Sequence, residues 1–153
     1  MPKIDVVDEA IIEADPSVVF ELMMDELSGA KKWWMPHWEA EPRGNVPLRQ
    51  IGGMIDITVH RIGTSRWAAR TVEIVNDRLI KLENFEGDFI GSEEFTFEPL
   101  DGKTKVKSRW IVEPNRMLLS LFYPLIPRIH SNVMRKGYAA LNDYLNEKQP
   151  VKN

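Results

Sequence analysis

Between Trp38 and Glu113 the chain is punctuated so often that it leaves no room for a helix between its apolar segments. Gly44-Asn45, Gly52-Gly53, Gly63, Asn76-Asp77, Gly87-Asp88 and Asp101-Gly102 each favour a turn, because glycine tolerates left-handed backbone and Asn or Asp bonds its own main chain. They set off Met54–His60, Arg66–Val75, Arg78–Phe85, Phe89–Glu98 and Lys103–Glu113 as strands. Parallel neighbours need a crossover of about a dozen residues, whereas links of about two to five suit hairpins. An antiparallel meander is therefore expected. Its last strand is the clearest: Thr104, Val106, Ser108, Trp110 and Val112 alternate with Lys105, Lys107, Arg109 and Glu113, so one face is dry and the other solvated.

The two ends of the chain complete the plan. Ile4, Val6, Ala10 and Ile12 share one face of a first strand over Ile4–Glu13, with Asp5, Glu9 and Glu13 on the other. Asp15-Pro16 predicts a helix start, since a proline at the first helical position loses no hydrogen bond. Val18, Val19, Leu22 and Met23 lie on one side of this helix, and Ser28-Gly29 breaks it before a second short helix at Ala30–Trp34. After Pro114-Asn115 a helical stripe returns in Leu118, Phe122, Ile129, Val133, Leu141 and Leu145. Pro124 and Pro127 interrupt its beginning, so the main helix is expected from about Arg128. A long helix laid on a curved sheet buries one face of each, which is an α+β arrangement. A length of 153 residues suits one core, so residues 1–148 are assigned to a single domain and residues 149–153 to a polar tail.

Composition narrows the function. With 43% hydrophobic and 28% charged residues the chain is globular rather than disordered or membrane-embedded. A formal net charge of -3 offers no attraction to phosphate backbones, and no nucleic acid is expected as a partner. The absence of cysteine suits a reducing compartment, and a cytoplasmic location is expected. His37, His60 and His130 lack metal-ligand spacing, so neither a metal nor a cofactor is expected. Met1-Pro2-Lys3-Ile4-Asp5 runs into acidic residues and does not read as a secretory leader. Met117–Ile129 is broken by Pro124, Pro127 and Arg128, and is shorter than the roughly 20 residues that span a bilayer.

Four segments carry a family resemblance in chain order. They are Ile12-Glu13-Ala14-Asp15-Pro16-Ser17-Val18-Val19-Phe20, the strand Trp67–Glu73, Lys103-Thr104-Lys105-Val106, and Ala139-Ala140-Leu141-Asn142-Asp143-Tyr144-Leu145. Together they resemble the START-like helix-grip superfamily (SRPBCC), which includes polyketide cyclase/dehydrase proteins, the birch-pollen-allergen group and lipid-transfer domains. The resemblance covers almost the whole chain. It implies a curved antiparallel sheet with two short helices and a long C-terminal helix, and an apolar cavity between helix and sheet. The motifs are structural, so they speak for the fold more than for an activity.

Alternation puts Arg70 with Ala68, Val72 and Ile74, and Glu93 with Phe95 and Phe97, both toward the interior. A buried charge needs a partner, so Arg70 paired with Glu93, or either paired with a ligand's polar head, is one candidate site. The competing reading is a one-residue bulge that turns them outward, or a solvated place at the sheet rim. Asn84, Ser108 and Trp110 can form a hydrogen-bonding and stacking wall beside Phe95. Phe122 and Val133 come from the terminal helical stripe and can line the same pocket; His130, near the main terminal helix, can line it too, although a surface or partly satisfied histidine is the preferred reading. The small residues Ala68, Gly91, Ser108, Gly137 and Ala140 either leave room or let helix and sheet approach closely. Trp33-Trp34-Met35-Pro36-His37-Trp38 and Leu118–Ile126 either flank a cavity mouth and touch a membrane transiently, or pack together or against a second copy in a homodimer.

The leading functional reading is binding or transport of a small hydrophobic molecule, a lipid, sterol-like or isoprenoid compound, in an internal cavity. Its candidate binding residues are Arg70, Asn84, Glu93, Phe95, Ser108, Trp110, Phe122, His130 and Val133. One alternative, supplied by the resemblance, is a cofactor-independent polyketide cyclase or dehydratase in which Arg70 stabilises an enolate. No residue has the adjacent base of an activated nucleophile, which weighs against enzyme status without excluding it. A protein-interaction domain is the third reading.

Overall fold

One sheet organises the fold. The computed structural model describes residues 3–34, 37–60 and 63–148, which excludes the proposed tail at 149–153. Strand β1 (Ile4–Ile12) is followed by helix α1 (Pro16–Leu27), and then by β2 (Trp38–Arg43), β3 (Met54–His60) and β4 (Thr64–Val75). Next come β5 (Leu79–Gly87), β6 (Phe89–Leu100) and β7 (Lys103–Pro114), the short helix α2 (Met117–Leu121) and the long helix α3 (Ile126–Lys148). The strands form a seven-stranded sheet in the order β1-β7-β6-β5-β4-β3-β2. Every neighbouring pair is antiparallel, as the short turns require. Only the first strand leaves sequence order, pairing with β7 instead of β2. Helix α1, about 18 Å long, carries the chain from one edge of the curved sheet to the other.

The expected α+β fold class holds, with two differences in its elements. Residues 28–34 make turns and not a second helix. Gly29 sits at φ +80, and the amides of Ala30 and Lys31 both return to the Asp25 carbonyl, which closes α1 instead of starting a new helix. The second short helix is α2, after the sheet. Strand β2, which was not among the predicted segments, pairs along its full length with β3. Helix α3 starts at Ile126, and Pro127 falls in its first turn, where a missing amide proton is harmless.

The core lies between the inner face of the sheet and the helices. Ile12, Phe95, Phe97, Val106 and Trp110 from the strands meet Phe20, Met23 and Leu27 of α1 and Met134, Tyr138 and Leu141 of α3, all buried. Trp34 is the pin between the N-terminal turns and α3. Its indole Nε1 donates to the Val133 carbonyl at 3.0 Å, and its ring occupies the place where a Cβ on Gly137 would stand. Gly91 in turn lets β7 approach, since a Cβ there would meet the Ile111 carbonyl oxygen at 2.0 Å. At these two positions the small residues permit close approach and do not leave a void.

Candidate functional site

Room opens elsewhere, between the start of α3 and one end of the sheet. A cavity of about 370 Å³ has a sheet wall of Trp38, Val59, Trp67, Phe89 and Trp110. Its helix wall is Ile129, His130, Val133 and Met134, spaced at about one turn of α3. Thr64, Ser65 and Arg116 stand on its lining together with Leu119, Phe122 and Leu125 from α2 and the turn after it. The lining is mostly apolar and strongly aromatic, which is the composition of a small-molecule site. Phe122 and Leu125 are half-exposed, and with the exposed Met117 and Leu121 they make an apolar lip. The base of the lip is tied by Arg116, whose Nε lies 2.7 Å from Asp88 Oδ1, while Asp88 Oδ2 also accepts the Arg66 amide at 2.8 Å.

The aromatic wall is internally ordered. Phe89 meets Trp67 edge-on at 5.4 Å and Trp110 at 4.9 Å, and His130 stacks on Trp110 at 4.1 Å with the rings nearly parallel. His130 is the cavity's buried titratable group, and two acids flank it. Nδ1 lies 3.4 Å from Asp8 Oδ2 and Nε2 lies 3.8 Å from Glu93 Oε2, with all three side chains nearly buried. These are charge contacts, since neither Asp8 Oδ2 nor His130 Nδ1 has a hydrogen-bond partner of good geometry. Burial opposes the charged imidazole, but Asp8 and Glu93 outweigh it and raise the His130 pKa above its ordinary value. Burial likewise works to raise the Asp8 pKa, and the contacts with His130 and Ser131 overcome it, leaving the carboxyl below its usual range. The result is an imidazole ring stacked on an indole face between two acids, which favour its protonated form.

The fold has counterparts among solved structures. TTHA0849 from Thermus thermophilus superposes with a TM-score of 0.79 at 19% identity, covering 95% of this chain and 100% of that one. The chain is also similar to a START superfamily protein from Mycobacterium smegmatis, with TM-score 0.76, 14% identity and coverage of 95% and 99%. The Zhui aromatase/cyclase from Streptomyces sp. R1128 gives 0.68 at 18% identity, covering 95% and 93%. The chain has the START-like helix-grip fold. No protein-family model and no curated protein matches its sequence.

Within the helix-grip frame the candidate residues separate into three groups. Trp110, Phe122, His130 and Val133 line the cavity. Asn84, Glu93, Phe95 and Ser108 are buried behind that lining. Arg70 does neither, and the expectation that it faces the interior is overturned. Register shifts between Ala68 and Ala69 and between Thr71 and Glu73 break the alternation of β4, so Trp67, Ala68, Ala69 and Thr71 are buried while Arg70 is exposed. Arg70 pairs there with Glu83 and lies over the Phe85 ring at 4.8 Å. The predicted Arg70–Glu93 pair does not form, and the cation that answers Glu93 is His130.

Asp8 was missed by the sequence reading. It occupies the position between Val6 and Ala10 on the inward face of β1, and an acid in phase with an apolar row was the available signal. The tryptophan-rich segment packs on itself, one of the arrangements expected of it. Trp34 stacks on Trp33 at 5.3 Å and on Trp38 at 4.9 Å, and Trp38 reaches the cavity wall. Met35 and Pro36 lie outside the described residues. Glu26 holds this segment from α1: its buried carboxylate accepts the Trp33 amide at 3.0 Å. Burial pushes the Glu26 pKa up to about 7, against the opposing pull of the Trp33 and Trp34 amides.

Proposed function

We propose that this protein binds a small, mainly apolar molecule in the cavity between α3 and the sheet. The observation that carries the reading is the aromatic wall of Trp38, Trp67, Phe89 and Trp110 facing α3 across about 370 Å³. Such a wall supplies affinity by desolvation, at about 25 cal/mol per Å² of apolar surface buried. It suits a ring-bearing ligand, and the sterol-like or isoprenoid class named from the sequence belongs to this proposal. So do the single domain over residues 1–148 and the cytoplasmic location. Among the described residues no helix is long and apolar enough to cross a membrane. The exposed lip of Met117, Leu121, Phe122 and Leu125 supports a transient membrane contact during loading.

The decisive experiment is native mass spectrometry of gently purified protein followed by solvent extraction, paired with titration by 2-isopropylnaphthalene. A retained apolar ligand, or saturable naphthalene binding weakened at least about tenfold by Ile129→Trp, supports carriage. Saturable binding that Ile129→Trp leaves untouched removes the cavity from the account.

A second reading is favoured by one feature, His130 between Asp8 and Glu93 on the ligand's side of α3, where the two acids favour its protonated form. An imidazolium beside a bound carbonyl compound can stabilise an enolate or donate a proton, the role first given to Arg70. The likeness to an aromatase/cyclase supports a cofactor-independent cyclase or dehydratase of this kind. Turnover of a polyketide mimic that disappears in a folded His130→Gln variant would support it; binding without turnover in the wild type would leave carriage alone.

A further inference from the structure

We propose that Asn84 is the polar end of the ligand site, taking a neutral group that offers a hydrogen-bond donor and acceptor side by side, as a carboxamide or lactam edge does. The inference rests on the apolar-cavity reading above and names what the far end of that ligand carries.

The strand register places four polar residues on a diagonal across the inner face of the sheet. Asp8 and Ser108 are opposite one another on β1 and β7. Glu93 lies one row on, opposite Trp110. Asn84 lies a further row on, opposite Gly91 on β6 and Ala69 on β4. The first three have answers within the protein. Asp8 and Glu93 flank His130, and the Ser108 hydroxyl donates to the Asp8 carbonyl at 3.4 Å. Asn84 has none. It is 1% exposed, and among the described residues it is the only buried side chain in which two separate polar atoms, the donor Nδ2 and the acceptor Oδ1, both lack a partner. A buried amide without hydrogen bonds destabilises a fold, and such a group at the centre of a sheet calls for a partner from outside the chain.

The amide lies behind the cavity lining and not on it. The two cross-strand neighbours are Gly91 and Ala69, so no long side chain crowds the amide along its row. Two residues along β6 and β4 from these stand Phe89 and Trp67, whose rings line the cavity and touch edge-on at 5.4 Å. The amide has no exposed atom in the structure, so a ligand reaches it when one of these rings turns aside, and that displacement is part of the proposal. Charge selects the chemistry. Two carboxylates, Asp8 and Glu93, stand against the single His130 cation in the adjoining rows, which disfavours an anionic head and leaves a neutral one.

The test uses three naphthalenes that differ at one group: 2-naphthamide, 2-acetonaphthone and 2-isopropylnaphthalene, titrated by tryptophan fluorescence. In the wild type the amide should gain over both analogues. In Asn84→Leu the ratio of the isopropylnaphthalene Kd to the naphthamide Kd should fall by about tenfold or more, while isopropylnaphthalene itself binds within about twofold of wild type. The Tm of the variant should be no lower than wild type, because the substitution removes an unpartnered amide. An unchanged ratio overturns the role of Asn84 and leaves the apolar-cavity reading standing. If none of the three binds wild-type protein, the cavity reading fails and this inference fails with it. Should Asn84→Leu not fold, the Asn84 side-chain amide resonances of wild-type protein decide: they should move with 2-naphthamide and stay with 2-isopropylnaphthalene, and equal behaviour overturns the proposal.

Discussion

His130 is held by the fold between two acids that favour its protonated form, and its protonation is coupled to stability. Its folded pKa is raised above 6.5, so the stabilisation is fully present below that value and is lost as pH rises through the higher folded one. Asp8 works in the other direction: its folded pKa is lowered from 3.8, so its contribution is present above that value and is lost as pH falls through the lower one. His130→Gln leaves two nearly buried carboxylates without their cation, and should cost about 3–5 kcal/mol near neutral pH. Urea denaturation across pH should show this deficit shrinking under alkaline conditions, where the wild type has also lost its imidazolium. Glu26 offers a second titration. Because its folded pKa is about 7 against 4.5, the wild type should lose roughly 2–3 kcal/mol as pH rises through that interval, and Glu26→Gln should flatten the profile. Single residues were partly legible in the sequence. Glu93 was read as inward-facing and is buried, whereas Asp8 was passed over although it shares the parity of Val6 and Ala10.

Among the strands and helices, periodicity carried most of the information and irregularity carried the errors. The turns placed β3 and β5 to β7 within a few residues, because a glycine or Asx pair at each end permits few other conformations. Strand β4 was bounded as closely, but its register shifts broke the alternation from which its inward face was read. An extra residue opposite Ala68 and Ala69 costs little locally, and what settles it is the fit of Trp67 and Thr71 against the rest of the core. The contact between α3 and the N-terminal turns makes a sharp prediction. Gly137→Ala adds helix propensity worth about 1 kcal/mol, but its Cβ would stand 2.0 Å from the Trp34 ring. That ring is 1% exposed and hydrogen-bonded to Val133, so it cannot move aside cheaply. Overpacking of this kind costs about 1–3 kcal/mol or more, and the variant should melt below wild type in a thermal scan.

Across the complete fold, the cavity is the property from which function follows, and occupancy should be visible in global stability. A ligand at about 100 times its Kd adds about 2.7 kcal/mol to the folded state, enough to raise the Tm by several degrees. 2-Isopropylnaphthalene should therefore raise the wild-type melting temperature in calorimetry and leave Ile129→Trp unmoved. The α+β class, the antiparallel meander, the terminal helix and the dry face of β7 could be read from the order of residues, since they follow from spacing and turn chemistry that act over a few neighbouring positions. Long-range packing set the rest: Arg70 faces water, Gly137 receives Trp34, His130 meets Asp8 and Glu93, and Asn84 is left unanswered. Those outcomes join residues as much as 122 positions apart, as His130 and Asp8 are. They depend on register and packing summed over the whole sheet, for which no local stretch of chain carries the energy.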